Sequence, residues 1–142
     1  MRPIKFRAFD INYKKMLTPK QLEDSGVHLH ASGCLFITDI NDKEILCERL
    51  EAMQFTGLHD KNGREIYEGD LVRVQSQYET EEPVDSSPNR VYFRDGAFRC
   101  GFHDIILGEK VCSGSEGNWN MEVIGNIHEH PELVNPEKGV GK

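Results

Sequence analysis

The sequence predicts a mainly β chain, a bent antiparallel small barrel carrying one or two short helices. Three observations predict it. The run "NRVYFRDGAFRCGF" alternates apolar and polar residues on either side of Asp95-Gly96, a pair that favours a two-residue type I′ hairpin turn. The run "QFTGLHDKNGREIYEGDLVRV", Gln54 to Val74, holds two glycine-marked corners, which implies sharply bent strands. A complete helix start signal is found in "TPKQLEDSG", and the segment it opens is short.

Taken in order, Ile4, Phe6 and Ala8 alternate with Lys5, Arg7 and Phe9, so residues 4–9 read as a strand. "DINYKKM" is a polar turn into a second short strand over Tyr13 to Leu17. In "TPKQLEDSG", Thr18 is the N-cap, Pro19 takes the first helical position, Gln21 supplies a capping box and Gly26 is the stop. Val27 to His30 and Leu35 to Thr38 are strand-like runs joined by "ASG". "NDKEILCERLEAM" fits a strand or a short helix capped by Asn41 with Glu44 at the third position, and the helix is the favoured reading.

Asp60-Lys61-Asn62-Gly63 has Asp at the first position of a type I turn and Gly at the fourth, where a left-handed conformation gives a G1 bulge and joins "MQFTGL" to "REIY". At the second corner Gly69 permits positive φ, and the Asp70 carboxylate can accept from nearby backbone N–H groups as the chain enters Leu71 to Tyr78. Asp60, Gly63, Gly69 and Asp70 thus form a structural turn motif. Counting outward from Asp95-Gly96 pairs Phe93 with Phe98 and Val91 with Cys100, four apolar side chains on one face. "WNMEVIGNIHE" has apolar residues in both alternating sets, as a central strand would, and Gly125 marks a bulge or a close backbone approach. Residues 79–90 and 112–118 read as flexible loops and 135–142 as a disordered tail, leaving a single domain over 1–134 of SH3-like or related form.

With 142 residues the chain can bury a core unaided, and its 37% apolar and 29% charged content argues against wholesale disorder. A net charge of −7 opposes the counterion release that drives phosphate-backbone binding, which excludes a general DNA coat but not a small basic patch. Cys34, Cys47, Cys100 and Cys112 form no C-x-x-C pair, so neither a zinc ribbon nor a thioredoxin-like motif is readable and free thiols are expected. "MRPIKFRAFD" lacks the apolar core of a signal peptide and no window approaches ~18 consecutive apolar residues, so the expected setting is cytoplasmic, without membrane contact.

Four constellations carry chemistry. His28-Leu29-His30 and His128-Glu129-His130 each put two imidazoles on one strand face, a spacing that suits zinc or iron if Cys34 or Glu129 joins. Exposed histidines at strand ends are the commoner explanation, and no metal or cofactor is expected. Asp60, Glu65, Glu68 and Asp70 could serve acid/base or magnesium-dependent chemistry, but both aspartates already have a turn to hold. Ser32, Ser86, Ser113 and Ser115 lie outside any G-x-S-x-G elbow. Finally, Arg2, Lys5, Arg7, Lys14 and Lys15 near the start and Arg90, Arg94 and Arg99 around the second hairpin interleave with Phe9, Tyr13 and Tyr92, a basic and aromatic surface of the kind that holds single strands. Ordinary edge-strand charges explain half of it.

The blocks "IKFRAFD…KKM", "QFTGLHDKNGREIYEGD" and "VIGNIHEHPEL" make the chain similar to the YopX-like proteins of bacteriophages and prophages. The family pattern falls on Thr56, Gly57, Asp60, Gly63, Ile66, Tyr67, Glu68, Gly69 and Asp70, then on Ile124, Gly125, Asn126, Glu129 and Pro131; it departs at His128 and His130. The resemblance implies a phage or prophage origin, a mostly β, barrel-like core and no catalytic residues to carry over. The expectation is therefore a non-enzymatic binding or regulatory module in the bacterial host cytoplasm, contacting a phage or host protein or a second copy of itself. Single-stranded nucleic-acid binding is the alternative, and a metal-assisted hydrolase at the acidic corner the third reading. No catalytic residue is assigned. Tyr67 and Glu68, which neither turn needs, join Arg7, Arg94 and Arg99 as the candidate binding surface.

Overall fold

In the second half of the chain, Asp95 and Gly96 sit at φ 51° and 76°, the left-handed pair that a type I′ turn requires. The turn joins β9 (Asn89–Arg94) to β10 (Ala97–Cys100) with Phe93 opposite Phe98 and Val91 opposite Cys100, the register expected. The computed structural model describes residues 3–30, 34–38, 41, 43–76, 88–101, 105–108 and 119–134. The chain is mainly β, its sheets curled and antiparallel, with two short helices among the described residues. It divides into two compact units, Ile4–Gln54 and Phe55–Lys142 with Met1–Pro3.

In the unit Ile4–Gln54, β1 (Phe6–Asp10) pairs on one side with β2 (Lys15–Leu17) and on the other with the first half of β6 (Leu50–His59). This sheet curls as a half-barrel. Its β1–β2 turn is held by Asp10, whose Oδ1 accepts from the backbone N–H groups of Asn12 and Tyr13 at 3.0 and 3.1 Å. The capping box forms as expected on α1 (Pro19–Asp24): Gln21 N donates to Thr18 Oγ1, and Thr18 N donates to Gln21 Oε1. That cap fixes the helix so that Leu22 enters a small core with Ala8 and Leu35.

A separate sheet in the same unit runs β3 (Val27–Leu29), β4 (Leu35–Thr38), β5 (Glu44–Leu46), while the "ASG" connection lies outside the described residues. The helix expected from Asn41 is not formed. Glu44–Leu46 is a strand, with Ile37 opposite Ile45 and Phe36 opposite Leu46, so cross-strand pairing overrides the local cap signal.

The unit Phe55–Lys142 holds a five-stranded sheet in the order β11 (Ile105–Ile106), β10, β9, β8 (Asp70–Ser76), β12 (Trp119–Asn126), together with β7 (Glu65–Tyr67), the second half of β6 and α2 (Pro131–Val134). Alternation sends Val72, Val74, Val91, Cys100, Met121 and Val123 to one face, where they pack with Ile66 as the core. Of the four apolar residues counted from the hairpin turn, Phe93 is the exception: beside the turn, it is 54% exposed and meets Phe98 edge to face. The loops expected over 79–90 and 112–118 and the tail 135–142 fall largely outside the described residues, except that Asn89 and Arg90 open β9.

Strand β12 corrects another expectation. Among the described residues it ends the ladder rather than lying inside it. A bulge between Val123 and Gly125 interrupts its alternation at Ile124, which is half-buried, as is Ile127 beyond the strand. Gly125 is also required by close approach, because a Cβ there would lie 2.7 Å from His130 Nδ1 and 2.9 Å from its Cγ. Replacing Gly125 by Ala therefore forces the His130 ring away from its seat. The expected loss is about 1–3 kcal/mol, read as a lower urea midpoint at unchanged slope.

Candidate functional site

The acidic corner is built on backbone donors. Asp60 Oδ1 accepts from Asn62 N and Arg64 N, both at 2.9 Å, and Oδ2 accepts from Val123 N at 2.9 Å. Lys61 N donates to Met121 O at 3.0 Å, so two residues of the turn cover the outer edge of β12. Gly63, at φ 80°, closes the turn by donating to Asp60 O at 3.0 Å. At the second corner Asp70 Oδ2 accepts from Tyr67 N at 2.8 Å, while Gly69, also at φ 80°, donates to Val91 O and accepts from Ile127 N. Asp60 and Asp70 are 6% and 1% exposed, so these buried carboxylates are held by N–H groups as burial demands.

A third corner follows β12. Asn126 Oδ1 accepts from His128 N at 3.0 Å and Glu129 N at 2.8 Å, its Nδ2 donates to Glu129 Oε1, and its N–H donates to His130 Nδ1 at 3.3 Å. The blocks "TGLHDKNGREIYEGD" and "VIGNIHEHP" are thus neighbours in space, tied at Asp60–Val123 and Gly69–Ile127. Thr56 and Gly57 belong to the same construction. Thr56 Oγ1 donates to Ile66 O and accepts from Leu58 N, and Gly57 takes φ 86° where β6 departs from regular pairing with β7.

The histidine pairs serve packing and turns. His28 and His30 both lie against Phe36, at 6.5 and 5.1 Å between ring centroids, and His28 Nε2 is 3.3 Å from Glu44 Oε1. Among the described residues, no group of three or more His, Cys, Asp or Glu is arranged to hold a metal ion. Cys34 is exposed, Cys47 half-buried and Cys100 buried, all as free thiols. Cys112, Arg2 and the four loop serines lie outside the described residues.

The candidate surface residues separate. Tyr67 is 5% exposed, its ring 5.4 Å from Phe55 and its hydroxyl donating to Glu65 Oε2 at 3.0 Å; Glu68 is half-buried beside it. Arg7 belongs to the other unit, with Nη2 at 3.9 Å from Met53 Sδ. Arg94 and Arg99 come together: Arg99 Nε donates to Arg94 O at 3.0 Å, and the Arg94 guanidinium lies 5.8 Å from the Tyr92 ring centroid.

Alternation and register bring further residues to the face opposite the core. Leu71 is opposite Arg90, Arg99 is opposite both Tyr92 and Ile106, and Arg73 is opposite Glu122. This face therefore carries Arg73, Arg90, Arg94 and Arg99 with Tyr92 and Ile106; it also carries Leu71, only 1% exposed, so the face is covered beside Arg73 and opens toward Arg90 and Ile106. Glu122, which could have neutralised Arg73, lies instead 3.6 Å from Lys61 Nζ. Arg73 Nε is buried without a hydrogen-bond partner among the described residues. Arg73 and Ile106 were missed in the sequence because their side depends on which strands pair. The signal available was Arg73 standing between Val72 and Val74.

The family model described as YopX protein matches residues 5–135. The chain belongs to the YopX family. Among solved structures, this YopX-family chain is similar to protein EF1440 from Enterococcus faecalis, with 27% identity and a TM-score of 0.64 over 95% of this chain and 100% of that one. It is also similar to protein YopX from Bacillus subtilis, with 22% identity and a TM-score of 0.55 over 94% and 98% of the two chains, a likeness of fold. No curated protein matches.

The family block at Asp60 is accounted for by the N–H groups it holds. Asp60→Ala removes the acceptor of three backbone N–H groups, that of Val123 buried and those of Asn62 and Arg64 part-buried, and is expected to cost about 2–3 kcal/mol in chemical denaturation. Asp60→Asn, which keeps one carbonyl oxygen, should lose less. Stability of both variants within about 0.5 kcal/mol of the parent would remove the turn from this structural role.

Proposed function

We propose that the chain is a non-enzymatic binding module acting through protein–protein contacts, with the face opposite the core of the five-stranded sheet as its working surface. The observation that carries this reading is the gathering of Arg73, Arg90, Arg94 and Arg99 with Tyr92 and a 56% exposed Ile106. Arginine and tyrosine supply a large share of the energy in protein interfaces, because each joins a broad apolar or planar body to directed hydrogen bonding. A metal-assisted hydrolase at the acidic corner has less support, since Asp60 and Asp70 already accept from backbone N–H groups. The partner we infer is a phage or host protein in the bacterial cytoplasm. Among the described residues no helix is long and apolar enough to cross a membrane. Self-association belongs to the same reading, because β5 ends its sheet with Ile45 and Leu46 45% and 44% exposed.

Single-stranded nucleic-acid binding is a second reading of the same face, favoured by the Arg94–Tyr92 stack. It is weakened by the net charge of −7. The double variant Arg94→Glu, Arg99→Glu, with folding confirmed by circular dichroism, should lose the proteins that the parent crosslinks from host lysate. Unchanged crosslinking would overturn the assignment of this face. Oligonucleotide affinity falling steeply from low to physiological salt would favour the second reading.

A further inference from the structure

The arginines on this face are not scattered. Leu71 stands opposite Arg90, so Arg73 is displaced one strand sideways and two residues along from Arg90. Arg99 stands opposite Tyr92, which displaces it by the same step in the same direction on the other side. With strands about 4.8 Å apart and a rise of about 3.3 Å per residue, Arg73, Arg90 and Arg99 form a diagonal row spaced by about 8 Å. Side chains two apart on an extended chain project about 6.6 Å from one another on the same side. Ile106, directly opposite Arg99, lies at one end of the row.

Resting on the protein-binding reading of this face, we infer that its ligand is an acidic, extended protein segment with carboxylates at alternate positions and an apolar residue at the end that meets Ile106. The guanidinium fork matches a carboxylate in a bidentate pair, and a row of forks selects spacing as well as charge. Charge complementarity is local: Glu122, the acid facing Arg73, has Lys61 beside it, and among the described residues the row is otherwise cationic. A single-stranded nucleic acid fits less well. Tyr92 is the one aromatic residue of this face among the described residues, and Arg94 already lies over its ring. The net charge of −7 opposes both ligands, but a long polyphosphate, carrying more charge than three carboxylates, more strongly.

The test uses the full chain and three fluorescein-labelled probes, followed by anisotropy: a peptide with glutamates at three alternate positions followed by two leucines, a peptide of identical composition with the glutamates contiguous, and an oligothymidylate. The alternating peptide should bind more tightly than the contiguous one, and Arg90→Ala or Arg99→Ala should each weaken it about tenfold, the loss expected for one bidentate pair. Lys20→Ala, on α1 of the other unit, should leave it unchanged. Equal binding of the two peptides, or tighter binding of the oligothymidylate, overturns the inference. If the alternating peptide fails to bind while the Arg94→Glu, Arg99→Glu variant still loses its crosslinked proteins, the inference is wrong and the working surface stands. If the double variant also crosslinks normally, both are wrong.

Discussion

A buried carboxylate joining two distant parts of the sequence is the constraint on which the second unit depends. Asp60 could have closed its own turn with one oxygen and left the other to water. Instead its second oxygen takes the N–H of Val123, sixty-three residues away, and the neighbouring Lys61 N–H takes the carbonyl of Met121. A strand that ends a sheet presents alternate N–H and C=O groups outward, and these two lie beside the buried side chains of Met121 and Val123. Without the turn, that stretch of β12 would need water at the margin of the core. The turn therefore acts as a partial strand made of one side chain and one amide, fixing β12 against β8 from the side that β8 cannot reach.

The other corners extend the same logic. Gly69 links to both Val91 and Ile127, so the corner between β7 and β8 holds β9 and the end of β12 together. Asn126 then organises the following turn with both ends of its side chain, and His130 settles over Gly125. Asp60, Asp70 and Asn126 are buried, and each accepts from backbone N–H groups. This explains why the two most recognisable blocks of the chain are turn-like in composition and yet hold these buried polar residues. They are joints, and the recognition surface we propose lies on the sheet they hold.

Local signals are legible in the sequence where both partners lie within a few residues of each other. The type I′ turn at Asp95-Gly96, the G1 bulge at Gly63 and the capping box at Thr18 each involve partners at most four positions apart. The readings that failed needed tertiary information. The cap at Asn41 and Glu44 was a real helix signal, overridden because Ile45 and Leu46 find Ile37 and Phe36 across the ladder. In β12, apolar residues in both sets suggest a central strand, but among the described residues the strand ends the ladder, and a bulge at Ile124 interrupts its alternation. The arginine face was half legible: Arg90, Arg94 and Arg99 follow from one hairpin, whereas Arg73 joins them only through the pairing of β8 with β9 across an acidic connection.

The covered edge of β12 also sets a limit on assembly. Open-ended fibres built by strand addition require that every sheet offer two docking edges, one to receive and one to present. A sheet whose β12 side is already occupied by its own backbone turn has lost half of that geometry. Strand addition along this stretch of β12 would first have to displace the protein's own turn from Met121 and Val123.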